Sequence, residues 1–277
     1  MVDEPMVDKE GARFHLASTA TQLGDAPAGK VIVCGSHGGA YAGYLIARSG
    51  ARALILNDAG VGLDNAGLGA LALAQSIGMA GATVDFNSAR IGDAEDMYSR
   101  GRISYANDAA QALGCGEGLS CQEAVAALLA AALPTDEPVK YEEARSLAGI
   151  SAAAGLSIVC VDSISLVTEA DAGHIVVSGS HGAIVSSQPE LVIKVPAALA
   201  LYNDAGVGCD GAGLTRLPAL NDRGVAAATV TSASARIGDA QSTLEDGVIG
   251  HLNALAHAGG IRAGMRAAEA VHVFKVP

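Results

Sequence analysis

Three short motifs each occur twice in this chain, at a nearly constant separation. Gly35-Ser36-His37-Gly38-Gly39 returns as Gly179-Ser180-His181-Gly182-Ala183, 144 residues later. Asn57-Asp58-Ala59-Gly60-Val61-Gly62 returns unchanged at 203–208, and Ser88-Ala89-Arg90-Ile91-Gly92-Asp93-Ala94 at 234–240, both offset by 146. Gly101, Ile103 and Asn107 meet Gly247, Ile249 and Asn253 in the same register, and Glu123-Ala124-Val125 meets Glu269-Ala270-Val271. A repeat of this length and constancy marks an internal duplication, so whatever one half folds into, the other is expected to fold into as well. The copies run over about 11–128 and 155–272. The connector, 129–154, carries PTDEPVKYEEARSLAG, in which one short helix is expected.

Within the first copy, short apolar runs alternate with helical stretches. Residues 13–17, 30–34, 51–56 and 82–86 read as strands. Ala40 to Arg48, 66–77, 104–113 and 120–132 read as helices, with Ser49-Gly50 and Gly78 as stops. The second copy repeats this, with Ile175–Ser178, Ala198–Tyr202 and Ala227–Thr231 as strands. Strand–helix alternation with short loops predicts an α/β fold: two similar halves, each a mainly parallel sheet flanked by helices, related by a pseudo-twofold. All three motifs follow a strand directly. In a parallel sheet those positions share the carboxyl edge, where open α/β folds bind ligands.

Composition narrows the function classes. Half of the 277 residues are hydrophobic, only 3% are aromatic and none is Trp. The core must therefore be small aliphatics packed closely on 35 glycines. A net charge of −12 argues against nucleic-acid binding, which needs basic stripes. Asn65 to Val84 is uncharged, but its counterpart carries Arg216, Asp222 and Arg223, so no membrane segment is expected. The acidic start MVDEPMVDKE has no secretory pattern. The five cysteines (Cys34, Cys115, Cys121, Cys160, Cys209) form no C-x-x-C pair. Together these read as a cytoplasmic protein with reduced thiols.

The repeated residues are the candidates for chemistry. Gly35, Gly38, Gly179 and Gly182 allow a sharp strand-to-helix turn that exposes amides to an anion. Within the same turns Ser36 and Ser180 offer hydroxyls. His37 and His181 offer groups that titrate near neutrality, as proton-transfer residues or helix caps. They are the only two of seven histidines at matching positions. Asp58 and Asp204 could orient the histidines or act as bases, and with Asn57 and Asn203 they could equally form Asx turns or caps. Asp64 and Asp210 read as caps. Arg90 and Arg236 present planar forks to a carboxylate or phosphate, or else pair locally with Asp93 and Asp239. Ser88 and Ser234 complete the set.

Other machinery finds no support. No cysteine recurs between copies, which excludes a duplicated Cys nucleophile or Cys–zinc site, and no lysine recurs, so a duplicated Ser–Lys dyad of the cyanuric acid hydrolase kind is not supported. There is no phosphate-loop or dinucleotide fingerprint and no G-x-S-x-G elbow. The strand ending in Ser-His-Gly, followed by one ending in a small-residue turn, resembles the His and Cys loops of caspase-like peptidases. Asn-Asp-Ala-Gly stands where their nucleophile belongs, so the resemblance implies α/β topology alone.

The residue types fit a hydrolase acting on a polarised carbonyl or amide of a small polar or anionic metabolite, by His/Asp acid–base chemistry with an arginine clamp. The same groups serve a lyase or isomerase, and a non-catalytic anionic-metabolite binder is the alternative from another class. No cofactor is expected, a divalent metal at the His/Asp loops stays open, and so does assembly into a homo-oligomer. The copies differ near the third loop, where Asp85, Glu95 and Asp96 become Thr231, Gln241 and Ser242. Two unequal sites or one composite site both follow from the sequence.

Overall fold

A computed structural model describes residues 13–24, 27–186 and 192–277. Residues 11 and 12 of the first repeat, with 25–26 and 187–191, lie outside the described residues.

The chain is α/β, with two mixed, mostly parallel sheets flanked by helices. The first sheet holds β1 (Phe14–Ala17), β2 (Val31–His37), β3 (Ala53–Asn57), β4 (Ala80–Val84) and β5 (Ile103–Ala106), in that spatial order. Its first three pairings are parallel and β4–β5 is antiparallel. The second contains β6 (Arg145–Ile150), β7 (Ser157–Val161), β8 (Ile175–His181), β9 (Leu199–Asn203), β10 (Ala226–Val230) and β11 (Ile249–Leu252). From β7 to β11 its order and pairing senses match those from β1 to β5, while β6 adds an antiparallel edge beside β7.

Strands β2, β3 and β4 are buried on both faces because helices cover both. Val31, Val33, Ile55 and Val84 pack on α3 (Ala94–Arg100) and α4 (Cys121–Leu128) through Met97, Val125 and Leu128. Ile32, Leu54 and Leu56 face the other way, onto α1 (Ala40–Arg48) and α2 (Gly69–Ser76) through Ile46, Ala70 and Ala74. This period-2 division of apolar runs is what a sheet sandwiched between helices requires.

Three elements depart from the expected pattern. Of the helix expected over 104–113, residues 104–106 belong instead to β5, because an antiparallel partner for β4 buries Ile103, and Asp108–Gln111 is helical. The connector holds β6 where a short helix was expected. In the second half, described residues 182–186 and 192–198 contain no counterpart of α1, and Val192, Ile193 and Ala197 fill the core directly.

The halves meet through their loops. Ala59, Ile91, Ala183, Ala205, Ala212 and Ile237 form a small buried cluster drawn from both. At its centre the two Asn-Asp-Ala-Gly-Val-Gly turns cross. A Cβ on Gly60 would lie 2.9 Å from Gly206 Cα, and both glycines sit at positive φ (75° and 76°). Four residues in a row have positive φ in each turn, including the β-branched Val61 (60°) and Val207 (66°). Such strain persists only where hydrogen bonds over-determine it. Here Val61 N–H donates to Asp58 O at 2.8 Å and Val61 O accepts from Gly67 N–H at 2.8 Å, with the same pair at Val207.

Candidate functional site

The two first motifs end their strands with a shared irregularity. Between Val33 and His37, β2 runs four residues while β3 runs from Ile55 to Asn57; β8 does the same against β9 from Val177 to His181. The extra residues bulge the strand and re-aim its last side chain. A glycine starts each bulge because backbone lies against it. A Cβ on Gly35 would stand 2.8 Å from Asp93 N, and one on Gly179 2.5 Å from Asp239 N. Gly92 and Gly238 donate their N–H to the carbonyls of Gly35 and Gly179 at 2.8 Å. The third motif of each half thus buttresses the first.

The result is a pair of imidazoles from opposite halves, His37 and His181, with ring centres 6.4 Å apart and planes nearly perpendicular. Both line one cavity of about 500 Å³. His37 Nδ1 accepts from Gly39 N–H at 3.1 Å, and His181 Nδ1 accepts from Ala183 N–H at 3.2 Å. A nitrogen that accepts carries no proton, so each neutral ring holds its hydrogen on Nε2. Gly39 is also the N-cap of α1, an end with no side-chain cap. Its positive field disfavours further protonation. Burial pushes the His37 pKa down to about 4. His181, 7% exposed, is also held well below its ordinary value by burial, by the Arg216 charge and by His37.

Other polar groups surround this pair. Ser36 Oγ accepts from Ala20 N–H and Ser180 Oγ from Ile164 N–H, each at 2.9 Å, so both serines anchor the chain that follows β1 or β7. Glu143, from the connector, reaches the same wall. Burial and the neighbouring Asp162 raise its pKa to about 7, against the pull of the Ser163 hydroxyl. Tyr141 of the connector packs against Tyr41 of α1, with ring centres 5.9 Å apart. Arg216 is 4% exposed and lies over the Tyr202 ring at 5.3 Å. Its Nε donates to Ala183 O at 2.9 Å and its Nη1 to Val192 O.

The remaining candidates serve the turns. Asp58 Oδ1 accepts from Gly60 and Phe86 N–H at 3.1 Å, and Asp204 Oδ1 from Gly206 and Ser232 N–H at 2.9 and 2.8 Å. Burial raises both carboxyls above their ordinary value. Asn57 and Asn203 accept from the N–H two residues on, at 2.9 Å. Ser88 and Ser234 donate to the carbonyls of Asp85 and Thr231. Gly38 and Gly182 pass their N–H to Asn57 O and Asn203 O. Arg90 pairs with Asp210 of the other half at 2.9 Å and with Asp96, while Arg236 pairs with Asp64 of the other half at 3.0 Å and with Asp239 at 3.1 Å. Neither arginine lines the cavity.

The repeat therefore led to the histidine pair but not to Glu143, Arg216 or Lys194. Glu143 lies in the connector, and Lys194, an exposed residue lining the same cavity, stands where the first copy has Arg48. Arg216 stands where the first half has Ala70, and Tyr202 where it has Leu56. For Arg216 and its neighbour Tyr202, a departure from the repeat at a buried position was the signal.

The donor set does not suit a metal ion. With Nδ1 of each histidine taken by a backbone N–H, the neutral ring has a hydrogen, not a lone pair, at Nε2. Among the described residues no group of three or more His, Cys, Asp and Glu is placed to hold a cation, and no helix is long and apolar enough to cross a membrane. Comparison with protein-family models, with curated proteins and with solved structures gives no match to this chain.

Proposed function

We propose that the chain is a small-molecule enzyme, a hydrolase, whose single composite site lies where two duplicated halves meet about a pseudo-twofold through Gly60 and Gly206. The observation that carries this reading is the facing of two neutral imidazoles across one cavity. Two Nε2–H donors fixed before substrate arrives suit an oxygen on which negative charge develops. Pinned as donors, the histidines polarise the carbonyl, and the proton falls to Glu143. Its pKa of about 7 matches a general base working near neutrality.

In the hydrolytic cycle Glu143 accepts a proton from water as the water oxygen bonds to the carbonyl carbon. The carbonyl π pair moves onto oxygen, which His37 and His181 stabilise by hydrogen bonds. The intermediate then collapses, and the proton on Glu143 passes to the leaving group. Ser36 and Ser180 fit the nucleophile role poorly, since each hydroxyl oxygen is engaged by an amide and neither is hydrogen-bonded to a base among the described residues.

The same absence of an activated nucleophile favours a second reading, proton abstraction beside a carbonyl by Glu143, as in an isomerase or lyase. Assaying small esters, amides and keto acids in ¹⁸O-labelled water and in D₂O separates the two: hydrolysis places ¹⁸O in product, enolisation places deuterium on carbon. In either case His37→Ala and His181→Ala are each expected to lower kcat about 10²- to 10³-fold. A double variant that keeps more than a tenth of turnover overturns the proposal. Five unpaired cysteines agree with work in a reducing compartment such as the cytoplasm.

A further inference from the structure

The cavity takes one histidine from each half, its cations stand on one side only, and Glu143 and Asp162 are its lining carboxyl groups. On the side of the second half stand Arg216, buried and lying over Tyr202, and Lys194, whose ammonium donates to Ser165 O. Among the described residues neither makes an ion pair with a carboxylate. On the first-half side, Ala42, Leu45 and Tyr41 form the wall, and Ala70 and Leu56 occupy the positions of Arg216 and Tyr202.

Taking a guanidinium out of water is costly unless an anion compensates it. In a protein of net charge −12, a buried cation with no carboxylate partner among the described residues is all the more conspicuous. The two carbonyls at Arg216, those of Ala183 and Val192, satisfy some of its five donors. They do not neutralise its charge. A second, independent feature points into the same space. His181 is more than nine-tenths buried, its Nδ1 is occupied, and its Nε2 meets no protein partner among the described residues.

We propose that the cavity takes a small molecule bearing a compact oxyanion, a carboxylate or phosphate, seated at Arg216 and Lys194 beside His181, with its uncharged part directed toward Tyr41 and Leu45. This rests on the cavity being the site named above, and it fixes the direction in which a substrate lies there. A planar carboxylate or a phosphate suits the guanidinium fork, and Lys194 adds a point charge.

The test needs no turnover. Wild-type protein is titrated with sodium acetate and, separately, with inorganic phosphate, against sodium chloride at matched ionic strength. Imidazole NMR shifts of His37 and His181 and the melting temperature are followed. Saturable binding of one anion and not of chloride is expected, and the stronger of the two identifies the group. Arg216→Gln keeps an amide donor for the carbonyl brace but removes the charge, and binding should weaken about tenfold or more. Arg216→Lys keeps the charge and should retain most of it. Should Arg216→Gln fail to fold, Lys194→Ala is expected to weaken binding severalfold. Wild-type histidine shifts no different in acetate or phosphate from those in chloride overturn the proposal, as does unchanged affinity in both Arg216→Gln and Lys194→Ala. Anion binding lost in Arg216→Gln while the histidine double variant stays active would sink the catalytic reading and leave this one standing; the converse pattern would do the opposite.

Discussion

Removing Glu143 should steepen a pH dependence that the native protein partly offsets. At pH 5 an imidazole of ordinary pKa 6.5 is almost fully protonated in the unfolded chain, whereas one held at about 4 is only about one-tenth protonated. The unfolded state therefore binds more protons, and folding loses stability as pH falls. Linkage over pH 7 to 5 gives a loss of roughly 2 kcal/mol for His37. His181 is displaced in the same sense and adds to it. Glu143 works oppositely: its pKa rises from 4.5 to about 7 on folding, so the native state regains at most about 2 kcal/mol over the same interval. Partial exposure to solvent trims that gain. Asp162 contributes through Glu143, whose pKa it helps to raise. Between pH 7 and 5 Glu143→Gln should thus lose more than about 2 kcal/mol, and the native protein should lose less than that variant by up to about 2 kcal/mol. Urea denaturation at pH 7, 6 and 5 measures the stability, and imidazole ¹⁵N shifts report the protonation directly. A flat profile for Glu143→Gln, or histidine shifts titrating with midpoints near 6.5, would refute the argument.

Three further outcomes follow from the geometry. Gly60→Ala should cost about 2–4 kcal/mol in urea denaturation, since positive φ disfavours a Cβ and this one would press on Gly206 backbone. Gly24→Ala, also at positive φ but with open space around it, should cost only about 1 kcal/mol, and equal losses would discredit the contact. The Arg236–Asp64 pair is 39% and 64% exposed, so a double-mutant cycle with Arg236→Gln and Asp64→Asn should give a coupling of about 0.2–1 kcal/mol that fades in 1 M salt; a value above about 2 would mean the pair holds the halves together. Cys209 is partly exposed and the other four thiols are buried, with the pKa of Cys34, Cys115 and Cys160 raised to about 11 and that of Cys121 to about 12. A maleimide should label Cys209 alone in the folded protein, and rapid modification of a second cysteine would contradict the packing.

Much of the architecture was legible from short-range pattern. The apolar runs at 30–34 and 51–56 read as buried strands because both their faces are covered, and Ala40–Arg48 read as a helix because Ser49-Gly50 stops it. The failures came where partners far along the chain decided. Ile-Ser-Tyr-Ala at 103–106 carries no strand period of its own and becomes β5 only because β4 offers an open edge. The chain after His181 matches the first copy poorly, and Arg216 braces it where the first half has α1.

What the sequence determined by itself was the list of positions that could matter, since a motif written twice declares a shared local geometry: a bulged strand end, a strained turn, a capped helix start. What it could not assign were the duties of those residues. Asp58, Arg90 and Ser88 look as suited to chemistry as His37 does, yet the folded chain binds them to its own amides, carboxylates and carbonyls, and leaves the imidazoles facing open space. Local conformation follows from neighbouring residues, but which polar group keeps a free donor depends on what the other half brings against it, and only the packed structure sets that.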